Sequence, residues 1–234
     1  MSYITAEKLS KKYGKGAAMV TAVSDISFGI ESGEFISVMG ESGAGKSTLL
    51  SIMGAMNAPT SGRFVVDDID IYRLNQERQA DFRREFLGFI FQSFHLVPYL
   101  TVFENVMLPL TIVKKGKSAK RTMVENALSH VRLLDKADRL PNQISGGESE
   151  RVAIARAIVN EPPVLLADEP TGNLDTQTTS EIMRLLQKLN ADGMTIIMVT
   201  HSPTCARYAR RIIQVSDGRL VADNHRSGNA AIKN

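Results

Sequence analysis

The sequence predicts an α/β fold built on a largely parallel sheet. Apolar, strand-like runs alternate with helix-like segments, and a glycine-rich loop joins one such run to a helix. Gly40, Asp168 and His201 each follow a predicted strand. Because ligands bind at the carboxyl ends of parallel strands, we expect these residues to converge at one edge of the sheet.

The strands are predicted from apolar patterning. Ile26, Phe28 and Ile30 alternate with smaller or polar neighbours, which is the period of two that a half-buried strand shows. Asp217-Gly218 lies between two apolar runs and predicts a hairpin near the end of the chain. Further strands are predicted from mostly apolar runs at 34–39, 63–66, 164–167 and 195–200.

The helices are predicted mainly in the middle of the chain. A helix over 46–54 follows the glycine-rich loop. The spacings Thr101-x-x-Glu104 and Ser145-x-x-Glu148 are those of capping boxes, in which each end of the pair satisfies a free backbone N–H. Helical segments are predicted between and after these boxes, over 119–131 and 149–159.

Length and composition favour one domain with a sizeable core. The chain has 234 residues, of which 43% are hydrophobic and 23% charged, values typical of globular proteins. We assign residues 1–223 to a single domain with an inserted helical lobe at about 93–160, and residues 224–234 to a flexible tail. The net charge of +3 gives no strong field for nucleic acid, and one cysteine excludes an internal disulfide framework.

A charge-free stretch over 86–103 has the length of a membrane span. It contains polar and helix-breaking residues, which would be costly in hydrocarbon: Gly88, Gln92, Ser93, His95, Pro98, Tyr99 and Thr101. The N-terminus also lacks an apolar run of signal-peptide length. We therefore predict a soluble protein whose membrane crossing, if it has a membrane role, is done by other chains.

The loop over residues 40–47 has the pattern G-x-x-x-x-G-K-[ST] between a strand and a helix. In this context the pattern indicates a phosphate-binding loop, because bare backbone N–H groups and the helix N-terminus together attract phosphate oxygens. Lys46 supplies a cation for the outer phosphates, and Ser47 can place its hydroxyl on Mg²⁺. The alternative is an ordinary glycine-rich turn.

Two acidic residues end the predicted strand at 164–167. Phosphate-loop enzymes hold Mg²⁺ with an acidic residue after an apolar strand, which predicts that role for Asp168. Glu169 is adjacent and is predicted to orient or deprotonate the attacking water. Alone, such a pair could equally be two solvated acids at a strand end.

A second glycine pair, Gly146-Gly147, follows Ser145 in the first turn of a predicted helix. A capping box between Ser145 and Glu148 needs no ligand. Glycine is nevertheless a poor helix former, at a cost of about 1 kcal/mol against alanine. Close approach of a phosphate to this helix N-terminus would explain the pair, and both readings stay open.

With these motifs in this order, the chain resembles the ATP-binding subunit of an ABC transporter over roughly residues 2–222. The resemblance implies a phosphate-loop ATPase fold with an antiparallel β lobe and an inserted helical lobe. It also implies ATP and Mg²⁺ as cofactors, and catalytic roles for Glu169, His201, Lys46 and Gln92. The implied ATP-binding residues are Tyr13, Gly40, Glu41, Ser42, Gly43, Ala44, Gly45, Lys46, Ser47 and Thr48; the metal-binding residues are Ser47, Gln92 and Asp168.

The family also implies residues that act across two subunits. Ser145, Gly146, Gly147 and Glu148 match the signature sequence, which contacts the ATP of a partner copy, and Asp175 matches the D-loop. A plain structural alternative stays open for several positions: Tyr13 as a surface tyrosine, Gln92 as a buried glutamine, His201 as a cap. The chain departs from the usual family pattern at Ile144, Ser149, Glu150 and Ser202.

Within the family, residues 88–98 and 170–175 resemble the LolD-like and MacB-like group. This resemblance implies an ATP-driven homodimer in the cytoplasm, peripheral on the inner face of the cell membrane, that powers a permease of the lipoprotein, macrolide or peptide export type. Phe94, Leu96, Val97 and Tyr99 are expected to face that permease. A periplasmic or membrane-fusion accessory protein is a further implied partner.

Two other functions are weighed against transport. An ATP-switched membrane scaffold, similar to the cell-division protein FtsE, would have the same active site and no cargo. A small-molecule kinase or GTPase would not explain Ser145 to Glu148, and the sequence has no Asn-Lys-x-Asp guanine motif.

Overall fold

The computed structural model describes residues 2–225 and contains a six-stranded sheet in the order β10-β9-β3-β8-β7-β6. All of its strands are parallel except β10, which pairs antiparallel with β9. The strands are β3 (Phe35–Met39), β6 (Leu87–Ile90), β7 (Val164–Asp168), β8 (Thr195–Thr200), β9 (Arg211–Ser216) and β10 (Arg219–His225). The predicted α/β fold is therefore confirmed.

A second sheet, fully antiparallel, forms a β lobe with the order β2-β1-β4-β5. Its strands are β1 (Ile4–Tyr13), β2 (Val20–Ile30), β4 (Ser61–Val66) and β5 (Ile69–Asp70). The alternation of Ile26, Phe28 and Ile30 is that of β2, where all three side chains are buried. This lobe places β2 beside the start of helix α1 (Lys46–Met53).

The two faces of the parallel sheet belong to different cores. Ile36 and Val38 of β3 pack with helix α1 and the β lobe, whereas Phe35 packs on the other side. That other side is covered by α3 (Val102–Met107), α4 (Lys117–His130), α5 (Gly146–Ile158) and α6 (Thr176–Ala191). The side chains of a strand point alternately to the two faces of the sheet. Because both faces are covered here, the buried strands are apolar at nearly every position.

Several local predictions are confirmed, with shifted boundaries. Both capping boxes are present, at Thr101 of α3 and Ser145 of α5, and the Asp217-Gly218 hairpin joins β9 to β10. The structure adds helices that the sequence analysis does not place: α2 (Gln76–Phe86), α6 and α7 (Pro203–Ala206). Asn224 and His225 belong to β10, and residues 226–234 of the predicted tail lie outside the described residues.

The charge-free stretch 86–103 does not form a long helix. It divides among the end of α2, strand β6, an irregular stretch and the start of α3. We call residues 91–101 the connecting segment. Among residues 2–225, no helix is both long enough and apolar enough to cross a bilayer.

Asn105 of α3 holds the second half of the connecting segment. Its side chain is fully buried, accepts a hydrogen bond from the Val97 N–H at 2.8 Å, and donates to the carbonyls of Val97, Leu100 and Thr101. The irregular backbone here has no strand or helix to satisfy its polar groups, so one amide side chain does so.

Replacing Asn105 with alanine is expected to lower the free energy of unfolding by about 2–4 kcal/mol, because it leaves several partly buried backbone groups without a partner. Urea unfolding followed by circular dichroism measures the change. Asn126→Ala is the matched control, since Asn126 is exposed on α4, the helix that packs against α3. Equal effects of the two substitutions would contradict the role of Asn105.

Candidate functional site

Two glycines of the loop between β3 and α1 lie where there is no space for a side chain. A Cβ atom on Gly40 would lie 2.2 Å from the Val215 carbonyl oxygen, and one on Gly45 would lie 2.1 Å from that of Ala22. Gly45 also has φ of 96°, a left-handed conformation that side chains disfavour. The loop therefore packs directly against β2 and β9.

Lys46 lies inside this loop rather than in solvent. It is 7% exposed, and its Nζ donates to the carbonyl oxygens of Gly40 and Glu41 at 2.8 Å each. These bonds hold the ammonium over the loop backbone. The result is a fixed positive charge beside the N-terminus of α1, an arrangement suited to an anion.

A cavity of about 810 Å³ opens at this loop. Three predicted residues from other elements share its lining: Gln92, Glu169 and His201. The rest of the lining is Ala22, Met39, Gly40, Glu41, Ser42, Gly43, Gly45, Lys46, Ser47 and Thr48. The structure thus brings together at one edge of the parallel sheet most of the residues predicted to bind ATP within one chain.

Ser47 and Asp168 place two oxygen-bearing side chains next to each other beside the cavity. The Ser47 hydroxyl donates to Asp168 Oδ1 at 3.2 Å. Burial raises the pKa of Asp168 above its ordinary value, and the hydrogen bond from Ser47 opposes that shift. One carboxylate and one hydroxyl, with phosphate oxygens and water, form the ligand set that Mg²⁺ prefers, so these residues fit the predicted cation.

Hydrogen bonds to both of its carboxylate oxygens hold Glu169 in place. Its Oε1 accepts a hydrogen bond from the His201 backbone N–H at 2.9 Å and lies 2.7 Å from His201 Nδ1. Its Oε2 accepts from the Thr200 hydroxyl at 3.1 Å. Glu169 has φ of 48°, unusual for a residue with a side chain. Thr200 belongs to none of the sequence motifs, although it directly precedes His201 at a strand end.

Tyr13 lies outside the cavity lining. Its ring is 42% exposed and has the Lys11 ammonium 5.2 Å from the ring centroid, and its hydroxyl accepts a hydrogen bond from Asn57. An exposed aromatic face next to a cation is compatible with stacking on a nucleotide base, and equally with a surface tyrosine.

The signature residues form a separate site. A smaller cavity of about 330 Å³ is lined by Ser145, Gly147 and Glu148, together with Arg132, Leu133, Arg151, Thr178 and Glu181. None of these residues lines the cavity at the phosphate loop. Within a single chain, the two glycine-rich motifs therefore do not share a pocket.

Internal packing accounts for only one of the two signature glycines. A Cβ on Gly147 would lie 2.4 Å from the Thr178 methyl group of α6, so packing within the chain already requires a glycine there. At Gly146 the nearest atom would be 3.9 Å away. Packing within the chain therefore explains the glycine at position 147 but not the one at position 146. Close approach of a ligand is needed to explain Gly146 alone, not the pair.

Glu148 and Asp175 act as helix caps. Glu148 accepts from the Ser145 N–H at 2.8 Å and pairs with Lys136, which the sequence analysis did not single out. The hydrogen bond from Lys136 lowers the pKa of Glu148 below its ordinary value. Asp175 accepts from the Thr178 N–H at 2.9 Å at the start of α6, and hydrogen bonds from Thr178 lower its pKa.

Glu150, one of the departures from the family pattern, is buried. It is 1% exposed, and its Oε1 has no hydrogen-bond partner among the described residues. Burial raises its pKa to about 8, although the nearby charge of Arg156 opposes the shift. The side chain is therefore mostly a neutral carboxylic acid at pH 7.

This buried acid predicts a pH-dependent stability difference between the wild-type protein and Glu150→Gln. An acid whose pKa is raised on folding costs stability once the unfolded chain ionises, so the wild-type protein loses stability relative to the variant from about pH 4.5 to about pH 8. The full loss is on the order of 5 kcal/mol. Denaturant unfolding of both proteins at several pH values measures the difference.

All other titrating groups are common to the two proteins, so the difference between the curves isolates Glu150. Parallel curves across this pH range would show that Glu150 titrates normally in the folded protein.

Comparisons with known proteins place this geometry in a family. The family model described as "ABC transporter" matches residues 23–172. The uncharacterised ABC transporter ATP-binding protein YvrO of Bacillus subtilis is 44% identical over 94% of this chain and 96% of that protein. The macrolide export ATP-binding/permease protein MacB of Rhodopseudomonas palustris is 42% identical over 95% of this chain, which spans 34% of MacB.

Solved structures agree with the sequence relatives. The dimeric structure of MJ0796, an ABC transporter cassette of Methanocaldococcus jannaschii, superposes with a TM-score of 0.88 at 41% identity, covering 97% of this chain and all of that one. A dimeric post-hydrolysis state of the same cassette, bound to ADP and Pi, gives a TM-score of 0.87 at 40% identity over 97% of this chain and 100% of that one. The chain therefore belongs to the ABC transporter family and is one of its ATPases.

Proposed function

We propose that this chain binds MgATP at the loop 40–47, hydrolyses it with Glu169, and uses the cycle to power a membrane permease of the lipoprotein, macrolide or peptide export type. The observation that carries the proposal is the cavity in which the phosphate loop, Glu169, Gln92 and His201 meet. Each of these parts comes from a different element, and the parallel sheet brings their ends together.

Phosphate binding follows from the loop. Its backbone N–H groups and the N-terminus of α1 face the phosphates, and the Lys46 ammonium can exchange its two carbonyl partners for phosphate oxygens. Ser47 and Asp168 would hold Mg²⁺, with Gln92 in reach from the cavity wall. The cation would supply charge neutralisation between the outer phosphates. The exposed ring of Tyr13 would stack on the base.

Hydrolysis depends on Glu169 as the base that orients or deprotonates water. Its side chain is only 12% exposed and is fixed by Thr200 and His201. These hydrogen bonds keep the carboxylate in one orientation at the cavity wall. A base that is already positioned accelerates proton transfer. His201 is 65% exposed beside it and is placed to contact a γ-phosphate.

The active unit is proposed to be a head-to-tail homodimer. The phosphate loop and three signature residues, Ser145, Gly147 and Glu148, line separate pockets of one chain, so we infer that a nucleotide contacting both lies between two copies. The dimeric structures of the MJ0796 cassette support a dimer, and the head-to-tail arrangement is our inference from the separate pockets. In the dimer, each ATP would join the phosphate loop of one chain to Ser145 and Gly146 of its partner, with the D-loop around Asp175 at the same interface.

The permease is proposed to dock on the connecting segment, on the cytoplasmic side of the membrane. Tyr99 is 79% exposed, the largest exposed fraction among the large hydrophobic side chains that the structure describes. Leu96, in contrast, packs partly against the core of the helical lobe. The fusion of an ATP-binding part to a permease in MacB supports a membrane partner.

Glu169→Gln is expected to bind ATP, to form a stable dimer with it, and to lose turnover by roughly 100-fold or more, since the amide cannot act as a base. Light scattering measures the dimer and phosphate release measures turnover. Adding Lys46→Ala in the same protein should abolish the ATP-dependent dimer, because the phosphates lose their fixed cation.

Glu161→Gln is the matched control, since this exposed acid lies outside the cavity lining, and it should behave as wild type. A Glu169→Gln protein that stays monomeric at saturating ATP would contradict the proposed dimer. Unchanged turnover would contradict the role of Glu169.

Tyr99→Ser is expected to weaken capture of the co-purifying membrane protein about tenfold, because it removes a large exposed ring from the proposed docking surface. Quantitative pull-down from detergent-solubilised membranes measures this loss. Ile112→Ser is the control, since Ile112 is 68% exposed outside the connecting segment. Identification of the captured protein as a transporter or a non-transporting partner decides between transport and the scaffold alternative.

A further inference from the structure

The first half of the connecting segment is held by a side chain that no motif predicted. Arg156, near the end of α5, donates from Nη1 to the His95 carbonyl and from Nη2 to the Phe94 carbonyl, each at 2.7 Å. A guanidinium is a planar fork of donors, and here the fork spans two successive carbonyl groups. His95 has φ of 47°, a conformation that turns the backbone at this point.

The two halves of the segment are thus held by different helices. Asn105 of α3 holds the backbone of Val97, Leu100 and Thr101, as described above. Arg156 holds Phe94 and His95, which lie between Gln92 and Val97, and belongs to α5, whose first turn carries the signature residues. One rigid helix therefore connects the signature turn at one end with the connecting segment at the other.

The charge of Arg156 is satisfied mainly by these carbonyl groups. Burial lowers the pKa of its guanidinium, and the nearby Glu150 opposes this shift. Glu150 itself is mostly neutral at pH 7, as shown above. Two charge-assisted hydrogen bonds in a partly buried site are stronger than ordinary surface contacts. Arg156 therefore holds the connecting segment firmly to α5.

We propose that Arg156 is a positioning residue that ties the connecting segment to α5, so that engagement of the signature turn by a partner's ATP reaches the permease-facing surface. This inference rests on the proposed function. It adds the route by which ATP-driven dimerisation changes the docking surface, and it assigns that route to one side chain.

The test uses hydrogen exchange of the full-length chain, read by mass spectrometry on peptides covering residues 93–101. In the absence of nucleotide, Arg156→Gln should raise the exchange rate in these peptides roughly tenfold, about the loss of one charge-assisted hydrogen bond. The reporting amides are those of Val97, Leu100 and Thr101, which donate to Asn105, to the Val97 carbonyl and to Glu104. Val97 lies two residues after His95, so release of the His95 carbonyl is expected to loosen the backbone that carries these amides. Unchanged exchange would overturn the attachment.

Two further variants accompany this measurement: the conservative substitution Arg156→Lys and the control Arg121→Gln. Lysine keeps the positive charge but replaces the planar fork of donors by a single nitrogen, so the lysine variant should be intermediate and guards against misfolding of the glutamine variant. Arg121 is an exposed arginine of the same lobe that pairs with Glu125, and its variant should exchange as wild type. Equal effects of Arg121→Gln and Arg156→Gln would overturn the assignment.

Transmission is tested in the Glu169→Gln protein, with and without ATP. ATP should change the exchange of residues 93–101 at least about threefold, and adding Arg156→Gln should abolish this response while the dimer still forms. A response that persists without Arg156, or that is absent in a dimer that has Arg156, overturns the inference. Failure to form any dimer with ATP instead contradicts the proposed function.

Discussion

The close packing of the phosphate loop against two neighbouring strands is the constraint on which the site depends. Gly40 meets the backbone of β9 and Gly45 meets that of β2, with no space for a Cβ atom at either position. The β9–β10 turn adds to this contact, because Gly218 donates to the Ala44 carbonyl and accepts from the Ser24 N–H. The β lobe, the parallel sheet and the loop are thereby held in one arrangement, which fixes the cavity before any ligand binds.

Much of the fold could be predicted from the sequence where local patterns were strong. Buried strands, both capping boxes and the closing hairpin depend on nearby residues, and they are present. Helix α2 was not placed, because it has few buried residues and therefore little apolar periodicity; only Phe82 of this helix is fully buried. The order of strands in the sheet depends on distant pairings that no local pattern shows.

The same distinction between local patterns and distant contacts applies to the candidate site. Motif residues at strand ends could be identified, because their spacing reflects local geometry at the phosphate loop. Asn105, Arg156 and Thr200 could not. Arg156 and Thr200 bond to groups far from them in sequence, and Asn105 bonds to an irregular backbone whose path no local pattern predicts. Gly147 matched a motif, yet its contact with Thr178 became visible only when α5 and α6 were seen together.

The separation of the two glycine-rich pockets has a stoichiometric consequence for a cell that makes both intact and defective copies of this chain. In the dimer that we propose, every nucleotide needs one pocket from each chain. A copy in which both pockets are defective therefore leaves an intact partner without any complete nucleotide site. Activity should therefore fall more steeply than gene dosage, so that a faulty allele would be dominant rather than silent.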